Sequence, residues 1–265
     1  MATPEIRRLK LWQGRIETEV EISGKGKPLV YLHGPWHLAP DRGFVAKLAE
    51  SHTVFAPKFP GTSRGAPNAV HELGDWHDLV VYHGELFDQL GLDAPALVGH
   101  SFGGMIAAEV AAVAPKSISR LALIDPVGLW RDDVPVKNWM LTPHQDRPSV
   151  FFANPDSEAS KSFFAVPSDP DQRVETLSQF TWSLACTGKF AWPIADRGLA
   201  KRIHRIAVPT LIIWGESDAV IVPAYAEEFA KRIGKAQITK IPRAGHLPHL
   251  EQPEMVLKAL SAFFD

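Results

Sequence analysis

The sequence predicts an α/β fold, a mostly parallel sheet with helices on both faces. Two observations carry this. Short continuous apolar runs recur along the chain, and helical stretches with three- and four-residue apolar spacing separate them. A strand that is apolar on both sides belongs in a sheet covered on both sides, and alternation with helices supplies the crossovers that parallel strands need.

In order, residues 15–22 (RIETEVEI) alternate polar and apolar, as a half-exposed strand does. Residues 28–32 (PLVYL) read as a buried strand ending at His33-Gly34-Pro35, and 41–50 as a helix. A second buried strand, 52–57 (HTVFAP), ends at Lys58-Phe59-Pro60-Gly61. Trp76, Leu79, Val80, Leu86, Phe87 and Leu90 place an amphipathic helix within 72–92, closed by Gly91. Residues 96–100 (ALVGH) run into Ser101 and a small-residue helix over 102–114, followed by a strand at 120–125 (RLALID). Further on come a strand at 209–215, a helix at 222–233, a strand at 236–241 and a final helix at 253–264. The alternation breaks once, over 126–205, which has no strand-like run but many Trp, Phe and Pro residues. Long structureless loops are uncommon, so this stretch is expected to be a mainly helical insertion.

Composition narrows the class. The 265 residues are 45% apolar and 22% charged, enough for one large domain or a domain with an insertion. The single cysteine, Cys186, excludes an intrachain disulfide and a four-thiolate zinc site. A formal net charge of −2 argues against a broad nucleic-acid footprint, and the Lys201-Arg202 and Lys231-Arg232 pairs are too short to supply one. The start, MATPEIRRLKLWQGR, lacks the apolar core of a signal peptide, and no run approaches the roughly 18 apolar residues of a membrane span. The expectation is a soluble, cytoplasmic protein without a membrane partner.

Gly99-His100-Ser101-Phe102-Gly103 matches G-x-S-x-G between a strand and a helix. The serine sits on a strained turn, glycines remove Cβ atoms that would clash there, and the helix N-terminus aims N–H groups at developing negative charge. A serine hydroxyl needs a general base. His246, directly after the strand 236–241, is the candidate, although position alone leaves it open as an ordinary loop histidine. The base needs an orienting carboxylate. Asp218 after the strand 209–215 is the first choice, Asp125 competes from the end of the preceding strand, and Glu216 is third. Ser101, Asp218 and His246 then follow one another in the chain order of the hydrolase triad.

At these residues the chain resembles the α/β-hydrolase superfamily over essentially all of 15–264. The resemblance rests on His33-Gly34, Pro60-Gly61, Gly99-His100-Ser101-Phe102-Gly103-Gly104, Trp214-Gly215-x-x-Asp218, and Gly245-His246 followed by Glu251 and Pro253. It implies a Ser101–His246–Asp218 triad. It also implies a core domain of 1–125 and 206–265, with 126–205 as a helical cap (lid) inserted after the sixth strand. One oxyanion-hole donor should be the Phe102 N–H. The second, by resemblance, comes from the residue after His33-Gly34, and here that is Pro35, which has no N–H. The Trp36 N–H, with the loop shifted by one residue, is the expected substitute. The His37 side chain is a second candidate, and a hole with a single donor a third. His33 and His100 are expected to be structural.

The resulting expectation is hydrolysis of a small, largely apolar carboxylic ester through an acyl-enzyme, with no metal and no organic cofactor. Carbon–carbon bond hydrolysis of ring-cleavage products is an alternative. Members of that group usually carry Trp immediately after the catalytic histidine, where this chain has Leu247. Cofactor-free haloperoxidase or perhydrolase side activity stays open, and a serine nucleophile argues against dehalogenase and epoxide hydrolase chemistry. From a different class, a small-molecule binding protein on a hydrolase scaffold is favoured by Pro35 and opposed by the intact triad.

Eight tryptophans complete the picture. Trp12, Trp76 and Trp214 fall on expected strands or the sheet-covering helix and are assigned to packing. Trp36, Trp130, Trp139, Trp182 and Trp192, with His37, His100 and Leu247, are the pocket candidates. His71, Asp75, His77, Asp78 and His83 are read as a solvated helix face, because spacings of six do not put imidazoles on one face. Residues 61–65 (GTSRG) lack the ending of a phosphate loop and are read as a surface turn.

Overall fold

A computed structural model describes residues 3–63 and 65–265. Eight strands form one sheet: β1 (Glu5–Leu11), β2 (Ile16–Ser23), β3 (Lys27–Leu32), β4 (His52–Pro57), β5 (Ala96–His100), β6 (Arg120–Ile124), β7 (Thr210–Gly215) and β8 (Ala236–Ile241). Their order is β1-β2-β4-β3-β5-β6-β7-β8; β1–β2 and β2–β4 pair antiparallel and the remaining pairs are parallel. The helices are α1 (Arg42–Leu48), α2 (Trp76–Gln89), α3 (Ser101–Val113), α4 (Arg147–Phe151), α5 (Glu158–Phe163), α6 (Pro170–Ala191), α7 (Leu199–Arg202), α8 (Ala224–Arg232), α9 (Pro248–Glu251) and α10 (Pro253–Phe264).

Successive residues of a strand face opposite sides of the sheet. Leu29 and Tyr31 of β3 therefore join Phe44, Leu48, Val256 and Leu260 of α1 and α10, while Val30 and Leu32 join the larger cluster with Leu79 and Leu86 of α2 and the apolar face of α3. Covered faces on both sides explain why these strands are continuous apolar runs.

The parallel register pairs Leu32 with Gly99, His100 with Ile124, Ile124 with Ile213, and Gly215 with Ile241. The loops after β3, β5, β6, β7 and β8 consequently emerge at one edge of the sheet.

Between β6 and β7 the chain forms no strand among the described residues. Residues 126–143 run without a helix, and α4 to α7 follow. The long α6 starts at Pro170, and Asp169 caps it by accepting the Gln172 N–H at 3.0 Å. The return to the sheet is pinned by a two-pronged ion pair between Arg202 and the buried Glu109 of α3, at 2.9 and 2.5 Å.

Three sequence expectations need correction. β1 carried no strand signal because, as an edge strand with exposed residues on both faces, it shows no apolar alternation. Counting it makes β6 the sixth strand. Trp12 lies in the turn between β1 and β2, with a left-handed φ of 58°, and its N–H donates to Glu85. His83 is not on a solvated face. It is buried, its Nδ1–H donates to the Leu79 carbonyl at 2.7 Å, and burial pushes its pKa down to about 4. Leu79 and Leu86, one helical turn away on either side, set that face. The turn at 61–65 includes Arg64, which lies outside the described residues.

Candidate active site

Ser101 opens α3 directly after β5, with a φ of 52°. A left-handed backbone at a non-glycine residue is strained, and the surroundings hold it in place. A Cβ at Gly99 would lie 2.4 Å from the Gly103 carbonyl oxygen, and one at Gly103 would lie 2.2 Å from that of Leu32. The tight turn and the close approach of helix to sheet therefore both require glycine.

His246 Nε2 lies 2.8 Å from Ser101 Oγ, and His246 Nδ1 lies 2.9 Å from Asp218 Oδ2. The other carboxylate oxygen, Asp218 Oδ1, accepts the N–H groups of Val220 and Ile221 at 2.8 and 2.9 Å. The loop after β7 thus orients Asp218 with its own backbone. A carboxylate accepting from Nδ1–H leaves the Nε2 lone pair free to take the serine proton. Ser101, Asp218 and His246 are 0%, 3% and 1% exposed, so water screens none of these interactions.

Asp125, the competing acid, is also at the edge, with a φ of 42°. Its Oδ1 accepts the Gly215 N–H at 2.9 Å, and its Oδ2 has no partner among the described residues. Burial, reinforced by the nearby Asp218 charge, holds its carboxyl well above the usual carboxylate range. Glu216 is exposed and makes no hydrogen bond to His246.

On the loop after β3, His33 is a structural staple. Its Nε2 accepts the Phe59 N–H at 3.1 Å, which leaves Nδ1–H to donate to the Gly34 carbonyl at 2.8 Å. Pro35 offers its carbonyl to Thr187 Oγ1 of α6 at 3.2 Å. Trp36 is fully buried, its ring 5.7 Å from His100, 5.6 Å from Phe151 and 5.0 Å from Phe163. His100 donates from Nε2 to the His246 carbonyl at 2.8 Å, tying the elbow to the histidine loop. Burial and the neighbouring histidines hold its pKa well below the ordinary value, so it is neutral. Behind it, His249 Nε2 lies 3.1 Å from Asp41 Oδ1, and Asp41 Oδ2 accepts from Tyr31 Oη at 2.9 Å. Among the described residues, metal-ligating atom types gather within 4.8 Å in two buried groups, Asp125–Asp218–His246 and Asp41–His100–His249. In each, a histidine nitrogen and a carboxylate oxygen already lie within hydrogen-bond distance.

The remaining pocket candidates separate by burial. Leu247 and Trp139 are buried, Trp130 is half-buried with its indole N–H on Asp132, and Trp192 is 43% exposed. Trp182 is 37% exposed, and its indole N–H donates to the Gly61 carbonyl at 3.0 Å. His37 lines two cavities. One, of about 420 Å³, lies among Pro40, Ala159, Phe163, Phe180 and Leu250; the other, of about 360 Å³, is flanked by Glu19, Arg42 and Lys58. Sequence reasoning did not single out Phe151, Asp41 or His249. Phe151 stands in an aromatic-rich stretch with no period to mark it, and the other two are polar residues of a kind that is ordinarily exposed.

A serine held on a strained strand–helix turn, facing a histidine that is itself oriented by a carboxylate from the next strand loop, defines an α/β hydrolase. The sequence comparison agrees. The model of the alpha/beta hydrolase family matches residues 29–259, and the chain belongs to that family. It is accordingly an enzyme, a hydrolase. Lipase 3 of Moraxella sp. is 26% identical over 247 residues, covering 91% of this chain and 78% of the lipase. The pimeloyl-[acyl-carrier protein] methyl ester esterase of Aromatoleum aromaticum is 27% identical over 242 residues, covering 85% of this chain and 93% of the esterase. Among solved structures, a meta-cleavage product hydrolase from Pseudomonas fluorescens superposes with a TM-score of 0.76 at 20% identity, covering 97% of both chains. No helix among the described residues is long and apolar enough to cross a membrane.

Proposed function

We propose that the protein hydrolyses small, largely apolar carboxylic esters through an acyl-enzyme on Ser101. The observation that carries this reading is the unbroken Ser101 Oγ–His246–Asp218 chain at 2.8 and 2.9 Å. Ser101 Oγ attacks the ester carbonyl carbon as His246 Nε2 takes its proton. The imidazolium, steadied by Asp218, then protonates the leaving alcohol as the C–O bond breaks. Water, deprotonated by His246, attacks the acyl-enzyme, and the proton returns to Ser101 as the carboxylic acid leaves. The N–H groups of Phe102 and Trp36 hold the oxyanion, with residues 126–205 as a cap whose aromatic residues favour apolar substrates. The esterase and lipase names of the relatives support an ester over other acyl compounds.

A fluorophosphonate probe tests the nucleophile. It should label the wild type at Ser101 and leave Ser101→Ala unlabelled; an unlabelled wild type overturns the reading in favour of a binding protein. A panel of p-nitrophenyl esters of graded acyl length, with one ring-cleavage product added, tests the substrate. Turnover of the ring-cleavage product alone overturns ester hydrolysis.

A further inference from the structure

Residues 151–154, the turn that follows α4, lie directly on the loop that carries His246. The His246 N–H donates to the Phe151 carbonyl at 2.8 Å. Glu251, at the end of α9, accepts the Ala153 N–H at 2.8 Å and the Asn154 N–H at 3.4 Å through Oε1. Its Oε2 accepts the Gly245 N–H at 2.5 Å. One carboxylate thus grips the residue before the expected base with one oxygen and the covering segment with the other. The contact admits no side chain between the two strips of backbone: a Cβ at Gly245 would lie 2.7 Å from the Phe151 carbonyl oxygen and 2.8 Å from the Ala153 nitrogen.

Closure of the site makes this grip consequential. Ser101 and His246 have almost no exposed surface, and the Phe151 ring lies 6.2 Å from that of His246. A substrate therefore reaches Ser101 Oγ only when part of the covering structure moves. Displacing 151–154 removes the acceptor of the His246 N–H and the two donors that hold Glu251 Oε1 in line with Gly245. The backbone on which His246 sits then loses its restraints on that side.

We propose that Glu251 is a positioning residue that couples closure of the 151–154 segment to placement of His246. The carboxylate holds Gly245 and His246 in register with Ser101 when 151–154 is seated on it, and releases them when the segment lifts. Chemistry and water exclusion are then assembled in one step, after substrate has entered. The proposal rests on the serine-hydrolase reading for its catalytic consequence, but the coupling itself is a property of two backbone segments.

The test uses Glu251→Gln and Ala153→Pro in the full-length protein. The first sets an amide N–H against the backbone donors on one side of the grip. The second removes the Ala153 donor and leaves Glu251 intact; Phe152, at φ −116° and ψ 140°, already has the extended backbone that precedes proline. Amide hydrogen exchange is followed in 151–164 and 244–250, and kcat and KM are measured per fluorophosphonate-titrated site. Both variants should speed exchange in both segments together. Glu251→Gln should lower kcat about 10²-fold, as a misplaced base does, with KM changed less than about threefold. Faster exchange in 151–164 alone, with kcat per site unchanged, would reduce Glu251 to a brace and overturn the coupling. Loss of kcat with exchange unchanged in both segments would overturn it too. Failure of the wild type to label at Ser101 would remove the serine-hydrolase reading, and the exchange pattern would still decide the coupling.

Discussion

The sheet edge and the inserted segment 126–205 meet at His246, whose N–H donates to the Phe151 carbonyl, and they are held in different ways. At the edge, backbone register does the placing: Leu32 opposite Gly99, His100 opposite Ile124 and Gly215 opposite Ile241 bring the loops of Ser101, Asp218 and His246 to one line. In 126–205 the placing falls to scattered single contacts, some between backbones, as where the His246 N–H meets the Phe151 carbonyl, and others through side chains. Arg202 on Glu109, Trp182 on the Gly61 carbonyl and Thr187 on the Pro35 carbonyl tie it down at separate points. A hydrogen-bonded ladder resists displacement cooperatively, whereas isolated ties open one at a time. Single substitutions of Ser101, Asp218 or His246 at the edge should therefore abolish chemistry, and single substitutions at the ties of 126–205 away from 151–154, which touches the His246 loop directly, should shift stability while leaving chemistry largely intact.

The sharpest way to break this contrast is at the edge itself. Ser101→Ala should lower kcat/KM by about 10⁴-fold or more in an ester assay, with an unchanged circular-dichroism spectrum. A residual rate within tenfold of wild type would remove Ser101 from the chemistry. The two carboxylates of the edge come next. Asp218→Asn should cost about 10³–10⁴-fold in kcat, because the amide no longer favours the imidazole tautomer that serves as base. Asp125→Asn keeps the side chain's shape and the oxygen that accepts the Gly215 N–H, and kcat should stay within about threefold of wild type. The reverse order of effects would reassign the triad acid to Asp125.

These assignments also mark where sequence stops being informative. The parallel strands were legible because burial on both faces leaves only apolar residues, and the serine because its strained turn needs glycine two residues to either side. Asp125 and Asp218 both follow apolar strands. Only the structure shows that one faces His246 Nδ1 and the other the Gly215 N–H. In 126–205 the fold class of the insertion was legible and its faces were not. Trp139 and Trp182 are the same residue in similarly aromatic surroundings, yet one is buried and the other 37% exposed. Irregular backbone over 126–143 and several short helices give no period from which a face can be read. His83 is a different failure. Its apolar neighbours at −4 and +3 carried the signal, but the six-residue spacing of the histidines drew the reading away from it.

Acid should weaken the scaffold side of the comparison. The unfolded chain binds a proton at His83 near the ordinary histidine value of 6.5, and the folded chain binds it only near about 4. Within that window the unfolded state holds more protons, so stability is full above it and falls as pH drops through it. His33 and His100, also buried with lowered pKa values, act with the same sign. Urea unfolding at pH 7, 5.5 and 4.5 should show the decline, with His83 alone contributing up to about 1.4 kcal/mol per pH unit. His83→Leu should make the slope shallower. An unaltered slope would mean that His83 titrates normally in the folded protein.

The smallest expected effect tests the 126–205 segment through one of its ties. Trp182→Phe keeps a ring on α6 and deletes the indole N–H that meets the Gly61 carbonyl at 3.0 Å. A neutral hydrogen bond of this kind contributes about 1 kcal/mol. The urea midpoint should fall by an amount equivalent to about 1 kcal/mol, with kcat changed less than about twofold, because the side-chain hydrogen bonds of Ser101, His246 and Asp218 go to one another and to Val220 and Ile221, not to α6. KM should change more than kcat if the tie governs how readily the segment lifts. A loss of kcat as large as that of Asp218→Asn would show that α6 places the reacting groups as firmly as the ladder does, and the contrast between the two regions would fail.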